Sequence, residues 1–341
     1  VGENTIEVRN DKMTIVPSPV QERKSTMTSQ QSIPRRNFIA AASAVGATGL
    51  LQSPGVFGAP SRSSRAESVI GELYESLSDS QKSVVCKGFG DALRQKVNAN
   101  WHVVKPLIGS DFFTKSQQSM VHEIVKQLTS PSGYETLKKQ TEDDDGGIEA
   151  YSMAWFGKPG DSEFEWMLTG RHLTLRADGN TQKKVVFGGP VVYGHGEESA
   201  PEDNIFYFQT QKVNKVFQAL STEQRNQALI QATIPGEGSV RVEKKDAYPG
   251  ISVYALSSDQ VQLVNEALTS ILGVYREEDS KEARELLEEV GGLQSLSLQF
   301  FAKDDLKADG IWDMWRIVGK NTCIHFRGAP HVHAYIHIQN V

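Results

Sequence analysis

His331-Val332-His333-Ala334-Tyr335-Ile336-His337-Ile338 alternates without a break between two chemical classes. Successive side chains of a strand point to opposite faces, so Val332, Ala334, Ile336 and Ile338 would line one face, with three histidines and a tyrosine on the other. The apolar face predicts a strand laid on a core. Upstream, Cys323-Ile324-His325-Phe326-Arg327 alternates in the same way, and Gly328-Ala329-Pro330 predicts a three-residue hairpin connection. In simple register Arg327 would oppose His331, His325 would oppose His333 and Cys323 would oppose Tyr335. One strand earlier, Trp312 to Val318 would join through Gly319-Lys320, and the same parity places Trp312, Met314 and Arg316 on the histidine face.

Working outward, the period of the apolar residues changes along the chain. Val69, Ile70, Leu73, Tyr74 and Leu77 recur at helical spacing, and Ser78-Asp79-Ser80-Gln81 offers an N-cap for a second helix. Helices are also expected over 115–128 and 132–139. From Ile148 the pattern turns strand-like at 150–156, 164–169, 173–176 and 184–187, with Gly188-Gly189-Pro190 ending that sheet. Helical segments return at 204–220, 222–230, 259–275 and 280–290 before the strand-like C-terminal segment. The fold class expected is α+β: a helical N-terminal part packed on a mostly antiparallel sheet formed by a central and a C-terminal β segment. No internal repeat is read.

The chain carries 36 Lys and Arg against 42 Asp and Glu, a net charge of −6, and has no basic stripe. Nucleic acid is therefore not an expected partner, because phosphate contacts need clustered cations. Two cysteines, Cys86 and Cys323, exclude a disulfide scaffold. Residues 1–58 read as a leader, 59–65 as a linker and 66–341 as a single α+β domain. Within the leader, Arg35-Arg36-Asn37-Phe38-Ile39 precedes an apolar run to Leu51 and a small-residue box at Val56-Phe57-Gly58. That run is shorter than the roughly 20 residues a membrane span needs. The arginine pair resembles a twin-arginine signal, with Pro34 where Ser or Thr is usual and a start at Met27. It implies the twin-arginine export machinery as a partner and a periplasmic location, without a stable membrane span.

The histidines are the candidate site. Residues two apart on a strand lie ~6.6 Å apart at Cα and cross-strand Cβ atoms lie about 5 Å apart, so imidazoles so placed can meet one ion at about 2 Å each. His325, His331 and His333 are candidate ligands, while His337 lies too far along the strand. A metal-free histidine site and a plain solvated strand face remain open as alternatives. His172 in Gly170-Arg171-His172 and His195 in Tyr193-Gly194-His195 stand beside glycines and are candidates to complete the shell. Asp143-Asp144-Asp145-Gly146-Gly147 lacks the carboxylate spacing of a Ca²⁺ loop and reads as a solvated turn.

Thr169-Gly-Arg-His-Leu-Thr-Leu-Arg, Phe187-Gly-Gly-Pro, Tyr193-Gly-His, Trp315-Arg-Ile and Pro330-His-Val-His, with Leu77-Ser-Asp-Ser-Gln81 near the start, resemble the bacterial domain-of-unknown-function family DUF3500. The resemblance implies frequent export and offers His172, His331 and His333 as matching positions. A Glu can occupy the place of His325 in that pattern. Two functions stay open. One is a metal-dependent hydrolase or oxidoreductase using Zn, Cu or Fe, with Glu197 or Glu198 as general base and Arg316 stabilising an anion. The other is a non-catalytic periplasmic protein that binds a metal or small ligand, since H-E-x-x-H, G-x-S-x-G and phosphate-loop motifs are all missing.

Overall fold

The computed structural model describes residues 59–198, 201–303, 305 and 310–340. The expected leader lies outside the described residues. The chain runs α1 (Arg65–Ser76), α2 (Asp79–Val85), β1 (Cys86–Lys87), α3 (Lys115–Leu128), α4 (Pro131–Asp145), β2 (Ser152–Gly157), β3 (Phe164–Gly170), β4 (Leu173–Ala177) and β5 (Val191–His195). It continues α5 (Tyr207–Ala219), α6 (Thr222–Ala228), β6 (Leu229–Ile230), β7 (Ile251–Ser252), α7 (Ser258–Leu272), α8 (Glu277–Glu289), β8 (Ser297–Phe301), β9 (Met314–Gly319), β10 (Thr322–Arg327) and β11 (Val332–Ile338). All strands join one sheet in the order β1-β2-β3-β4-β5-β11-β10-β9-β8-β6, with β7 beside β8. Among the described residues only β1/β2 and β6/β8 pair parallel, so the fold is the expected α+β with a mostly antiparallel sheet.

The order is palindromic because the chain repeats itself, which the sequence reading missed. Four helices start with the same S/T-x-x-Q capping box, at Ser78/Gln81, Thr114/Gln117, Ser221/Gln224 and Ser257/Gln260. Gln81 and Gln117 hydrogen-bond each other reciprocally, and so do Gln224 and Gln260. Helix α2 runs directly into β1, and α6 into β6. Gly146-Gly147-Ile148-Glu149-Ala150-Tyr151-Ser152 recurs as Gly291-Gly292-Leu293-Gln294-Ser295-Leu296-Ser297, with positive φ at all four glycines. Equivalent positions recur about 145 residues apart, a period too long and a similarity too low to stand out by eye. The pair β5/β11 lies on the pseudo-twofold axis and joins the two halves.

One face of the sheet carries the main core. Val332, Ala334, Ile336 and Ile338 pack there with Tyr193, Trp155, Trp166 and Trp315 against the apolar faces of α1, α3, α5, α7 and α8. The other face is covered by irregular chain: Trp101 and Val103 pack on Ala154, Phe156 and Met167, while Ala99 and Val240 pack on Val192, Cys323 and Tyr335. Beneath this cover His325, His333, His337 and Arg316 are all buried. The histidine face is therefore not a solvated one.

Several local expectations change. Residues 184–187 are no strand: Phe187, Gly188 and Gly189 all have positive φ, and the strand follows them at Val191–His195. Gly-Gly-Pro opens β5 instead of closing the sheet. The hairpin register is shifted by two residues, with Arg327 opposite His333, His325 opposite Tyr335 and Cys323 opposite His337. Pro330 has no N–H to give the ladder, so pairing resumes beyond it. A two-residue shift keeps parity, and Arg316, opposite His325, stays on the histidine face. Trp312 precedes β9 and packs instead with Phe217 and Phe300 in the main core. Cys86 begins β1, half-buried, and neither cysteine is paired.

A buried charge cluster fastens α1 to α8. The Arg276 guanidinium donates to both Glu67 oxygens at 2.9 and 2.6 Å and to Asp279 Oδ2 at 2.8 Å. Nearby Glu282 is buried as well, and burial first, then the charges of Asp279 and Asp178, push its carboxyl up to about 8. A carboxyl whose pKa is raised on folding withdraws stability as pH climbs from its unfolded value, about 4.5, to its folded one. Glu282→Gln is expected to raise the unfolding midpoint at pH 8.5 by at least about 2 °C, or about 1 kcal/mol, and to leave it unchanged near pH 4 in thermal melts.

Candidate metal centre

Three of the five candidate histidines come together. His172, His331 and His333 offer ring nitrogens that all lie within 4.8 Å of one another. His172 sits in the two-residue turn between β3 and β4, where Gly170 pairs with Leu173. Its φ of 55° is unusual for a residue with a Cβ. The turn is held from both sides: the His172 N–H donates to Ala99 O at 2.6 Å, and Tyr151 Oη donates to Arg171 O at 2.5 Å. His331 ends the β10/β11 loop and His333 lies in β11, opposite Gly194. A Cβ on Gly194 would sit 2.3 Å from Val332 O, 3.2 Å from His333 Cδ2 and 3.3 Å from His172 Cβ. Glycine at 194 is what lets the two imidazoles approach across the β5/β11 pairing.

Each imidazole is anchored through Nδ1. His172 Nδ1 lies 2.8 Å from Asp144 Oδ2 and His331 Nδ1 lies 2.5 Å from Glu198 Oε1. His333 Nδ1 lies 3.2 Å from Tyr335 Oη, which itself donates to Glu237 Oε2 at 2.7 Å. With its proton given to Glu237, the Tyr335 oxygen accepts from His333. A carboxylate or a spent hydroxyl at Nδ1 fixes the proton there and leaves each Nε2 with its lone pair. His331 Nε2 and His333 Nε2 stand 3.0 Å apart. Two lone pairs at that distance repel unless a proton or a cation lies between them. Nitrogens on one tetrahedral ion at about 2.05 Å would be about 3.3 Å apart.

The electrostatics agree. Burial, then the neighbouring histidines and Arg327, hold the His333 imidazole down to about 2. Burial also holds His331 below its ordinary value, against the opposing pull of Glu198. Burial pushes the Asp144 carboxyl up, but hydrogen bonds from His172, Gln140 and the Gly196 N–H outweigh it and bring it below its usual range. Burial thus favours the neutral form of His331 and His333, while hydrogen bonding favours the carboxylate of Asp144 behind His172, the pattern in which outer-shell groups orient metal-binding histidines.

Asp144 and Glu237 are the residues sequence reasoning missed. Residues 143–145 form the last turn of α4, not a solvated loop, and the Asp144 side chain is 4% exposed. Three aspartates at a helix C-terminus oppose the helix dipole, a local conflict that could have flagged them.

The other candidates lie elsewhere. His195 pairs with Val332 and so faces the main-core side of the sheet; its Nε2 meets Asp143 at 3.2 Å and its Nδ1 accepts from the Ile205 N–H at 3.3 Å. His325 Nδ1 accepts from Arg316 Nε and Nη2 at 3.0 and 2.8 Å, so Arg316 backs His325 and reaches Ser239 rather than the triad. Glu197 lines an open groove of about 530 Å³ with Asp144, Arg171 and His195. Glu198 is the member of that pair that touches a triad histidine. Half-buried Arg327, beside His333 on the adjacent strand, forms no carboxylate ion pair among the described residues.

The fold and site together define an α+β protein built on a duplicated sheet, with a carboxylate-backed histidine triad that could hold a metal ion. The chain belongs to the DUF3500 family, proteins of unknown function, whose model matches residues 61–338. No curated protein and no solved structure matches it.

Gly194→Ala is expected to destabilise the protein by roughly 1–3 kcal/mol in chemical denaturation, because the added methyl meets backbone on one side and two imidazoles on the other. Gly236→Ala, where a Cβ meets nothing within 4 Å, is the control and should stay within about 0.5 kcal/mol.

Proposed function

We propose that His172, His331 and His333 bind one divalent transition-metal ion through Nε2 and that the protein is a metal-dependent enzyme acting on a small anionic substrate. The observation that carries this reading is the convergence of three imidazoles, each turned toward the others by a hydrogen bond at Nδ1. Three neutral nitrogen ligands without a thiolate suit zinc first, then copper or iron. An ion so held, with one position open, makes water a nucleophile near neutral pH and polarises a carbonyl or phosphoryl oxygen.

The protein's own groups divide the remaining tasks. His331 is the least buried of the three and marks the side from which a substrate approaches. Arg327, uncommitted to a carboxylate among the described residues, stands there to take an anionic group. Glu198 orients His331 through Nδ1 and, being the exposed carboxylate of the site, passes protons on to solvent. Asp144 and the Glu237–Tyr335 pair hold the other two imidazoles in place.

Export belongs to the same reading. The arginine pair and apolar run of the leader support passage through the twin-arginine machinery to the periplasm, a route for proteins that have already folded around a cofactor. No helix among the described residues is long and apolar enough to cross a membrane.

Elemental analysis of natively expressed protein should give close to one metal equivalent, lost in the His331→Ala/His333→Ala double variant. Asp144→Asn should weaken metal affinity about 10–100-fold while the fold persists by circular dichroism. A visible spectrum of the cobalt-substituted protein that shifts on adding azide supports an open position and catalysis. An unchanged spectrum would make this a metal-binding protein without catalysis. Metal-free wild-type protein prepared without chelators would overturn the metal reading.

A further inference from the structure

The pseudo-twofold axis gives the metal centre a counterpart. Aligning the β3/β4 turn with the β9/β10 turn matches Gly170↔Leu173 with Gly319↔Thr322, and so Arg176 with His325. Extending the two ladders to β5 and β11 matches Thr174↔Val192 with Cys323↔His337. That register sets Pro190 against Tyr335 and Gly188 against His333. The cross-axis pairing His333↔Gly194 then has its partner in Gly188 and Gln339. Where one half places His325, Tyr335 and His333, the other therefore places Arg176, Pro190 and Gly188. The first half therefore has no imidazole at these positions and carries a guanidinium instead.

Those substituted residues surround a cavity of about 240 Å³ between β5, β11 and the covering segments. Arg94, Arg176 and Arg241 line it, and no carboxylate does. Behind the lining, Glu165 accepts from Arg94 Nη1 at 3.1 Å and from Arg176 Nη1 at 2.6 Å, and Asp178 stands behind Gly188 and Gln182, so the three guanidinium groups still outnumber the two carboxylates. Two buried nitrogens on the lining residues have no hydrogen-bond partner: Arg176 Nε and His337 Nδ1. Arg176 is 3% exposed and His337 7% exposed, so both nitrogens lie beneath the cavity wall. Burial first, opposed by Gln339 and aided by the charges of Arg176 and Arg241, brings the His337 imidazole down to about 4. His337 is thus neutral and adds no charge to the lining.

We propose that this cavity is a binding site for a phosphate oxyanion, free or as the terminal group of a small ester, held by the guanidinium charges of Arg94, Arg176 and Arg241. Phosphate carries about −1.5 to −2 charges at neutral pH and several acceptor oxygens, which suits a cavity lined by three guanidinium groups and no carboxylate. His337 lies four residues from His333, about 13 Å along the strand, so the two sites are separate.

The test is calorimetric titration of the full chain with inorganic phosphate, with glycerol phosphate and with succinate, in phosphate-free buffer containing 150 mM NaCl, a screening length of about 8 Å. Saturable phosphate binding with Kd below about 1 mM is expected. It should survive the His331→Ala/His333→Ala double variant. Gln95→Glu, which puts a negative charge on an exposed lining residue whose side chain makes no hydrogen bond among the described residues, should weaken it about fivefold or more. Arg241→Gln should do the same. Lys245→Gln, in the neighbouring cavity that also contains Arg241, should leave it unchanged. Tighter binding of glycerol phosphate than of free phosphate identifies an ester as the ligand, and the reverse identifies the free ion. Wild-type protein that binds no phosphate, binding indifferent to Gln95→Glu and Arg241→Gln, or succinate bound as tightly as phosphate would each overturn the proposal.

Discussion

The antiparallel ladder between β5 and β11 is the contact on which the rest of the structure depends. It joins two four-stranded meanders that are otherwise separate in sequence, and it lies on the axis that relates them. Through it Gly194 comes to face His333, and the turn carrying His172 comes within reach of the β10/β11 loop. Neither half contains the triad alone: His172 belongs to the first and His331 and His333 to the second. Their supporting carboxylates are divided too, with Asp144 and Glu198 before α5 and Glu237 after α6. The site is a property of the junction.

What makes that junction unusual is the burial of a polar sheet face. An antiparallel sheet can leave one face in water, and the histidine face would then need no explanation. Here two irregular segments cover it, so His325, His333, His337 and Arg316 each require a partner. Most find one in the protein. Arg316 satisfies His325, Tyr335 relays Glu237 to His333, and Asp144 meets His172. What is left over is informative: three imidazoles with ring nitrogens gathered within 4.8 Å of one another, and a cavity lined by three arginines.

Much of the fold was legible because strand alternation and helix caps are local signals. The alternation of 331–338 located β11 and assigned its faces, and a register error of two residues left those faces unchanged because the side-chain period is two. Ser78 and Gln81 marked α2 for the same local reason. The failures were all non-local. Gly188-Gly189-Pro190 looked like the end of a sheet, whereas its left-handed turn delivers β5 into the centre. His195 was judged by its nearness in sequence to Gly194, yet one residue along a strand is the opposite face. Asp144 is 28 residues from the histidine it serves, and Glu237 nearly a hundred from Tyr335. The repeat escaped notice because its halves share capping boxes and a double glycine more than they share side chains. Resemblance to DUF3500 pointed to His172, His331 and His333 together, which periodicity alone could not do.

The position of β11 bears on how the protein is made. The strand that completes the middle of the sheet comes after all the others in the chain, and every partner of β5 on that side waits for it. Until residues 332–338 have left the ribosome, β5 is an open edge carrying Val191, Val192 and Tyr193, a surface prone to pairing with another chain. A high contact order of this kind slows folding and lengthens the exposure. The first meander therefore stays unfinished until the last strand of the second has been made, and the two halves cannot mature one after the other as independent units.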